Sequence, residues 1–374
     1  MSADAVLKFF WWLALGLTVA TIGVMLVGQL GLSLLLRHLG RHETEREALV
    51  ARSGWSGVGH PAWLLLVGGA VVGAWWPLFH ATLFAGLWPV LVAVAVALAV
   101  APIGHGCRGH ISPRWRAGWD MLWAAIALAA LLLMGIGVGV TVSGAPFSFD
   151  AHLNAHWSEF ASRFSVYEVL VPGLFAPVFA VLLAASRAAA GAPDEVVERA
   201  RLVLLGAGVL ALLLFAGGAV WATQLPGYAV GGMPAMGGPL TPLDGTTFAV
   251  PGAYLNRFLF HLSRLIIPVI TGLLFLGVLV SAWQAALSRA WRLAALAVVG
   301  MVATAGTMTY PVIVPSWSVP AQSLTVWNAA ATEPVLIALL VWLGVLVPAV
   351  AAYEVWLRSR APHVVPTWNG DAAR

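Results

Sequence analysis

Histidine and cysteine give this sequence of 374 residues its widest chemical range, because both can ligate haem iron or other metals. The densest group is the stretch Gly104-His105-Gly106-Cys107-Arg108-Gly109-His110. It lacks the C-x-x-C-H pattern that attaches haem covalently. Cys107 is the only cysteine, which excludes an internal disulfide and any site built from several cysteines. We therefore interpret this group as a charged turn rather than a metal site.

The other histidines are weighed by where they fall along the chain. His38 and His42 stand beside arginines in a predicted solvated loop. His60, His80 and His261 fall near predicted helix ends, where an axial haem contact or a quinone contact is conceivable. Haem needs its axial ligand held at bundle depth, and no pair of histidines is placed that way. We expect no haem, other cofactor or metal in this chain, and we assign no catalytic residue.

Carboxylates are the second group that could do chemistry, as proton carriers. All fifteen acidic residues fall in loops or near predicted helix ends, including Asp120 and Glu168. A proton-coupled transporter usually needs a carboxylate or histidine at membrane depth. The sequence therefore argues against such a transporter. A permease for a neutral substrate stays an alternative, which inverted repeats or paired broken helices would favour, and the sequence indicates neither.

The elements that must position these residues are transmembrane helices. Hydrophobic residues make up 61% of the chain and charged residues only 9%, whereas a soluble domain carries roughly 25% charged residues. Apolar runs reach the roughly 20 residues that cross a bilayer, without the alternation of a barrel strand. This predicts an all-α, polytopic helical bundle. The net charge of +4 is not gathered into a basic domain, so no nucleic-acid partner is expected.

We predict a single membrane domain over residues 1–374 with about nine helices. Gly-rich stretches, such as Gly68-Gly69, Gly135/Gly137/Gly139 and Gly217-Gly218, are expected to let helices approach closely. An interfacial turn is expected around Trp75, Trp76, Pro77 and His80, between the second and third helices. The predicted helices are 9–36, 61–82, 84–104, 118–143, 166–189, 202–223, 260–284, 289–310 and 332–357.

The basic residues predict the orientation of the bundle. Only Lys8, Arg163, Arg257 and Arg264 fall on one side of the predicted membrane. The positive-inside rule then places the N-terminus outside and the C-terminus in the cytoplasm of a prokaryotic inner membrane. Fifteen basic residues fall on the opposite, cytoplasmic side: Arg37, Arg41, Arg46, Arg52, Arg108, Arg114, Arg116, Arg187, Arg199, Arg201, Arg289, Arg292, Arg358, Arg360 and Arg374.

Two predicted external connections are long. Residues 224–259 are rich in Gly, Pro and Met, and we expect an irregular flap without a core of its own. In the second connection, 310–331, prolines at 311, 315 and 320 forbid a continuous helix.

Several stretches, taken in order, resemble subunit II of the cytochrome bd-type quinol oxidases over about residues 7–357. Trp63 leads into a Gly-Gly-Ala run, and Asp120 follows Trp119 after Pro113-Arg114-Trp115-Arg116. The most specific stretch joins Pro315-Ser316 to Ser323-Leu324-Thr325-Val326-Trp327-Asn328-Ala329. Further matching stretches are Phe9-Phe10-Trp11-Trp12, Leu39-Gly40-Arg41-His42-Glu43-Thr44-Glu45-Arg46 and Gly144-Ala145-Pro146-Phe147.

The resemblance implies a non-haem subunit that packs as a heterodimer against a haem-bearing subunit I. That partner would hold the b-type and d-type haems, oxidise quinol or another donor and reduce dioxygen to water. The resemblance also implies room for a bound quinone or lipid and for a small single-helix subunit, besides contacts with membrane lipids. The chain itself would be a non-catalytic scaffold and assembly subunit of an oxidoreductase complex.

The sequence departs from the family pattern at acidic positions. An Asp-Gly-Phe-Asp signature is replaced by Leu26-Val27-Gly28-Gln29, and Trp-Asp-Gly-Asn is replaced by a stretch with Ser56. Asn328 stands where an aspartate is usual. A proton path needs titratable groups or ordered water, so we do not carry the family's proton-route role over to this chain. Simple divergence, with water and Ser56 or Gln29 carrying protons, is one alternative, and a variant subunit with its own haem is another.

Overall fold

The computed structural model is mostly helical and describes residues 3–52, 59–157, 166–231, 241–245, 247–259 and 261–360. Within these residues the chain forms thirteen α-helices. They are α1 (Ala3–Leu39), α2 (Glu43–Arg52), α3 (Gly59–Ala74), α4 (Trp76–Phe79), α5 (Trp88–Ala99), α6 (Pro113–Ser143), α7 (Val166–Glu168), α8 (Leu174–Ala188), α9 (Asp194–Ala222), α10 (Ala253–Leu259), α11 (Leu262–Trp283), α12 (Leu287–Thr309) and α13 (Glu333–Arg360).

The number of membrane-spanning helices agrees with the prediction. Seven helices of the described residues are long and apolar enough to cross a bilayer: α1, α6, α7 with α8, α9, α11, α12 and α13. Two bent pairs bring the number to nine if each pair is one span. The first pair joins Leu66–Ala74 to Trp76–Phe84, and the second joins Trp88–Ala99 to Ile103–His110.

The second and third predicted helices are not the straight rods that the apolar runs indicate. The chain bends by 90° at Trp75, and by 44° in the second pair. Pro77 lies in the first turn of α4, where it has no N–H to donate to the Gly73 carbonyl and so cannot continue the hydrogen bonding of α3. Trp75 is fully buried and donates its indole N–H to the Trp11 carbonyl at 3.2 Å. A turn is thus present at Trp75, as predicted, although Trp75 itself is buried, and the chain turns again at residues 85–87. Its position at the membrane interface stays a prediction.

Several helices, among them α9 and α6, begin earlier than predicted, because hydrophobicity marks only their apolar part. The helix α9 begins at Asp194 rather than at 202, with Asp194 and Glu195 in its first turn. Acidic side chains are favoured there by the helix dipole. The helix α6 begins at Pro113, five residues before the predicted start at 118. Charged first turns extend these helices beyond the apolar runs.

Within the described part of the chain, three short pairs of antiparallel strands lie in the connections between helices. They are β1 (Phe147–Phe149) with β2 (Ala155–Trp157), β3 (Gly227–Val230) with β4 (Thr247–Val250), and β5 (Val312–Val314) with β6 (Leu324–Thr325). The expectation of an irregular flap at 224–259 is wrong for its described residues, which form β3, β4 and α10. The connection 310–331 contains no long helix, as predicted.

The main core lies between α1, α6, α8, α9, α11 and α12. Phe175, Phe179 and Phe275 form its aromatic centre, with ring centroids 5.2–6.0 Å apart. Gly31 brings α1 against the Ala180 backbone of α8, so any side chain at that position would collide with it. Gly135 similarly meets Pro172, as expected for a close helix approach. A Cβ at Gly68, Gly69 or Gly217 would meet nothing within 4 Å, so the prediction of close packing is wrong there.

Candidate functional site

A buried ion cluster lies where α1 ends, α2 follows and α6 begins. Arg108 donates from Nε to Oδ1 of Asp120 at 2.7 Å and from Nη2 to Oδ2 at 3.1 Å. It also donates to both carboxylate oxygens of Glu43, at 2.7 and 3.0 Å. Only 4% of the Arg108 side chain and 2% of the Asp120 side chain are exposed. Burial of this kind is stable only when the charges are paired and hydrogen-bonded, as they are here.

Two further arginines extend the cluster to other helices. Arg116 in α6 pairs with Glu43 at 2.8 Å, and Arg199 in α9 pairs with Glu45 at 2.9 Å. Arg199 also donates to the carbonyl oxygen of Leu39, at the end of α1. Hydrogen bonding to Arg108 lowers the pKa of Glu43 to about 2, and hydrogen bonding to Arg199 does the same for Glu45. We call this cluster (Glu43, Glu45, Arg108, Asp120 and Arg199) the charged end.

The His-Gly-Cys-Arg-Gly-His turn lies at the charged end. His105 closes a π-helical segment (Val100–His105), and its Nε2 lies 3.0 Å from the Ser33 hydroxyl of α1. Arg108 begins a short 3₁₀ turn (Arg108–His110) and is buried. Among the residues that the structure describes, no three His, Cys, Asp or Glu side chains come together as a metal site would require. The turn is charged, as interpreted, but the charge of Arg108 lies inside the protein.

The opposite ends of α1 and α6 are covered by loops. The Ser323 hydroxyl accepts from the Ser316 N–H at 3.0 Å and donates to the Pro320 carbonyl at 2.7 Å. The Asn328 side chain accepts from the Thr325 N–H at 2.7 Å and donates to the Ser323 carbonyl at 3.1 Å. Ser316, Ser323 and Asn328 are all buried. This closed turn explains why these residue types occur together in the sequence.

The covering loops are tied to the helices by backbone contacts. The Ala145 N–H after α6 donates to the Pro315 carbonyl at 2.8 Å, and Lys8 of α1 reaches the Trp327 carbonyl at 3.4 Å. Sequence reasoning did not single out two anchors, Tyr254 and Arg257. Tyr254 donates to the Val142 carbonyl at 2.8 Å, and Arg257 donates to the Met308 carbonyl at 2.6 Å. We call this region (Ser316, Ser323, Asn328, Tyr254 and Arg257) the capped end.

Burial changes the titration of the two anchors in α10. Loss of hydration raises the pKa of the Tyr254 hydroxyl and lowers the pKa of the Arg257 guanidinium. Glu168 was also missed as a buried group, because it falls at a predicted helix end. Only 1% of Glu168 is exposed, and the Ser143 hydroxyl donates to its carboxylate. The only sequence signal for Arg257 was its isolation on a side with few basic residues.

The three histidines considered as haem or quinone contacts do not converge in the part of the chain that is described. His80 is exposed and stacks on Trp76 with ring centroids 6.0 Å apart. His261 is exposed and occupies the position before α11 without a capping hydrogen bond from its side chain. His60 lies in the first turn of α3, and its side chain is outside the described residues.

The remaining family-motif positions fall in three different places. Ser56 lies outside the described residues, and Trp63 is half-buried on α3. Gln29 is buried in α1, and neither its side-chain oxygen nor its nitrogen has a protein partner among the described atoms. Asp120 belongs to the charged end, whereas Pro315 and Trp327 belong with the covering loops. Only the motif positions that join a hydrogen-bonded cluster are thus divided between the two ends of the bundle, and Gln29 and Trp63 belong to neither.

Comparison with known proteins decides what kind of chain this is. The family model described as cytochrome bd terminal oxidase subunit II matches residues 7–359. The chain belongs to the cytochrome bd terminal oxidase subunit II family. It is a subunit of a terminal oxidase, and members of this family are bacterial membrane proteins. The resemblance seen in the sequence is confirmed.

Relatives of this subunit II chain align along nearly their whole length. The chain is 28% identical over 368 residues to a probable cytochrome oxidase subunit 2 of Haemophilus influenzae, covering 95% of this chain and 94% of that one. It is also 28% identical over 359 residues to the cytochrome bd-I ubiquinol oxidase subunit 2 of Escherichia coli K12, covering 94% and 93%.

A solved structure shares the fold of the subunit II chain. A chain of the bd oxidase from Geobacillus thermodenitrificans superposes with a TM-score of 0.64 at 15% sequence identity. The match covers 94% of this chain and 98% of that chain.

Proposed function

We propose that this subunit II chain is the non-haem scaffold of a bd-type oxidase in a prokaryotic inner membrane. It would act as one membrane domain, with its N-terminus outside, packed against a haem-bearing subunit I. That partner would oxidise quinol or another donor and reduce dioxygen. The observation that carries the proposal is the charged end, where the buried Asp120 and the partly buried Glu43 and Glu45 are engaged with arginines. Groups committed to such pairs fix helices in place, which is what a scaffold requires.

The proton-route role of some family members is not part of this proposal. Asp120, the buried acid of the charged end, is bound in two hydrogen bonds by Arg108. Leu26, where the family has an acid, is fully buried and cannot titrate. These two observations support a structural rather than a proton-conducting part for the helices α1 and α6.

The permease alternative is not favoured by the broken helices. Both bends lie in the first half of the chain and in consecutive spans, at Trp75 and after Ala99. Transporters with inverted repeats place broken helices in corresponding positions of two halves. The observed bends therefore do not match that arrangement.

Purification from native membranes in mild detergent tests the proposal. We expect the chain to be recovered with a haem-bearing membrane protein in equal amounts. Recovery of only a haem-free monomer or homo-oligomer would contradict the scaffold function. A reduced-minus-oxidised spectrum of the isolated chain should lack haem bands, and haem bands would favour the variant that uses His60, His80 or His261.

Labelling with a membrane-impermeant maleimide tests the orientation. In a Cys107→Ser background, His152→Cys places a thiol in the exposed loop between β1 and β2. Arg114→Cys places a matched thiol at the exposed start of α6. We expect the first to react in intact cells and the second only after permeabilisation. The reverse pattern would invert the orientation.

A further inference from the structure

Gln29 is a buried amide that the protein leaves without hydrogen bonds. It is 6% exposed, and neither Oε1 nor Nε2 finds a partner among the described atoms. Buried side-chain amides are nearly always hydrogen-bonded to protein or to water. Among the described residues, the hydrogen-bonding capacity of this amide is therefore unused and available to a ligand or water.

A small cavity adjoins this amide. It has a volume of about 40 Å³ and lies between α1, α8 and α12. Gln29, Leu183, Arg187 and Trp291 are among its lining residues. Because one water needs at least about 10–15 Å³ of such space, the cavity holds two or three oxygen-sized groups. It is too small for an acyl chain.

Arg187 supplies a positive charge to the cavity. Its guanidinium carbon lies 5.4 Å from the centre of the Trp291 ring. No described carboxylate lies within salt-bridge distance of it, and it is exposed. A simpler interpretation is that Arg187 snorkels, with its guanidinium at the membrane surface and its charge stabilised by the C-terminal dipole of α8. That reading does not account for the unpartnered amide in the same cavity.

The residues around Arg187 and Gln29 define the chemistry of the ligand. A guanidinium and an amide N–H both donate, so they fit the oxygens of an anion. The amide oxygen accepts, so it fits a hydroxyl or a water beside that anion. Val24 and Met25 line the cavity and are only half-buried, so they also present apolar surface outside it, where a chain too large for the cavity can lie. A phosphodiester that carries a hydroxyl and apolar chains satisfies all three features.

We propose that the phosphate of an anionic phospholipid binds Arg187 at the mouth of this cavity, with its headgroup hydroxyl or a bridging water on Gln29. Basic pockets between transmembrane helices are known sites for anionic headgroups. Trp291 lies near the start of α12, and tryptophan near helix ends gathers at headgroup level. The apolar lining favours a lipid over free phosphate. The proposal rests on the membrane assignment and not on the scaffold function.

Native mass spectrometry of the intact complex tests the proposal. The complex is stripped of lipid in detergent and titrated with phosphatidylglycerol, with phosphatidylcholine and with inorganic phosphate. We expect phosphatidylglycerol to be retained and phosphatidylcholine not to be. Arg187→Gln should weaken the retained site about fivefold to tenfold, as for the loss of one charge at an anionic surface. Gln29→Leu should weaken it less, by about threefold for one hydrogen-bonding group.

The matched control is Arg201→Gln. Arg201 also lies over a tryptophan, 5.9 Å from the Trp283 ring, but it pairs with Glu198 at 2.9 Å. It does not line the cavity. Retention of phosphatidylglycerol in this variant should match that of the wild type. Equal losses in Arg187→Gln and Arg201→Gln would overturn the proposal, because they would indicate attraction by surface charge alone.

Three other outcomes would also overturn it. Displacement of bound lipid by inorganic phosphate at similar concentration would identify a site for free anions. Dissociation of another subunit from the Arg187→Gln complex, without lipid loss, would identify a carboxylate of that subunit as the partner. Unchanged lipid retention in folded Gln29→Leu and Arg187→Gln proteins would show that the cavity binds water rather than lipid. If Arg187→Gln does not fold, Arg187→Lys keeps the charge and should retain the lipid with only a small loss.

Discussion

The two ends of the bundle are held together by different kinds of bond. At the charged end, side chains from elements far apart in sequence pair directly. Glu43 reaches Arg108 and Arg116, which lie 65 and 73 positions along the chain. At the capped end, neutral side chains and Arg257 bind backbone groups of the loops and of the ends of α6 and α12.

This difference determines how each end can fail. Removing one member of a buried ion pair leaves the other charge unpaired in a poorly hydrated place, which is costly. Removing one neutral side chain leaves only a carbonyl or an N–H without its partner, at a smaller cost. We expect single substitutions to be more damaging at the charged end, where the paired carboxylates also make stability depend modestly on pH.

Arg108→Met should give the largest effect. It leaves Asp120 buried without its partner and should lower the free energy of unfolding by about 3–5 kcal/mol. The measurement is an unfolding titration of the detergent-solubilised protein. The double variant Arg108→Met/Asp120→Leu is the control and should recover most of the loss, because no unpaired buried charge remains at Asp120. A double variant as unstable as Arg108→Met alone would show that the pair is not the source of the effect.

Asp120→Asn should cost less, because Arg108 keeps its two hydrogen bonds to Glu43. The expected loss of stability is about 1–3 kcal/mol, that of a hydrogen bond to a charged group. Turnover of the assembled complex should stay within about a factor of three, since each tenfold in rate is about 1.4 kcal/mol of barrier. A hundredfold loss of turnover in a fully assembled complex would show that this subunit conducts protons after all.

Asn328→Ala probes the capped end. It removes the acceptor of the Thr325 N–H and the donor to the Ser323 carbonyl. We expect a loss of about 1–2 kcal/mol from these neutral hydrogen bonds, measured by the same titration. The loss should be equal at pH 4 and pH 7, as no titrating group is involved. A loss as large as that of Arg108→Met would contradict the contrast between the two ends.

Lowering the pH should reduce the stability that the charged end contributes, and by less than the Arg108→Met substitution does. The pKa values of Glu43 and Glu45 fall from 4.5 to about 2 on folding. Their pairs therefore stabilise the fold fully above pH 4.5 and progressively less as the pH falls toward 2. Because Glu43 is 36% exposed, solvent screening keeps its contribution to about 1 kcal/mol or less.

Unfolding titrations between pH 6 and pH 3 measure this dependence. We expect Glu45→Gln to reduce the slope of stability against pH in this range. Glu47→Gln is the control, because Glu47 is 59% exposed and lies 3.5 Å from Arg116. It should leave the slope unchanged, and an equal reduction in both variants would show that the pairing of Glu45 with Arg199 is not responsible.

The helices could be predicted from the sequence because each apolar run carries its own signal. The span α11, for example, was expected at 260–284 and runs over Leu262–Trp283. A turn at Trp75 was predicted, but the burial of Trp75 against Trp11, 64 positions away, could not be, because that contact is tertiary. The short hairpins depend on pairings across loops, and their strands have only two to four residues.

The candidate site was predicted only in part, for the same reason. Asp120 was singled out from a motif, and its partner Arg108 from a turn rich in histidine. The contact between Asp120 and Arg108 depends on tertiary structure. Opposite charges 12 positions apart on either side of a helix start do, however, indicate a candidate ion pair. The sequence does not indicate that the Gln29 amide lacks a partner among the described atoms, beyond its place in a family motif.

The length of α1 links the subunit to the thickness of its membrane. With 37 residues and 1.5 Å of rise for each, it is about 55 Å long, against a hydrocarbon core of about 30 Å. Its Trp11 carbonyl is held by Trp75 near one end, and its Leu39 carbonyl by Arg199 at the other. A free helix would answer hydrophobic mismatch by tilting alone. Because α1 is hydrogen-bonded to other helices near both ends, it can tilt only together with the whole bundle. A thinner bilayer would therefore tilt or strain the whole subunit rather than α1 alone.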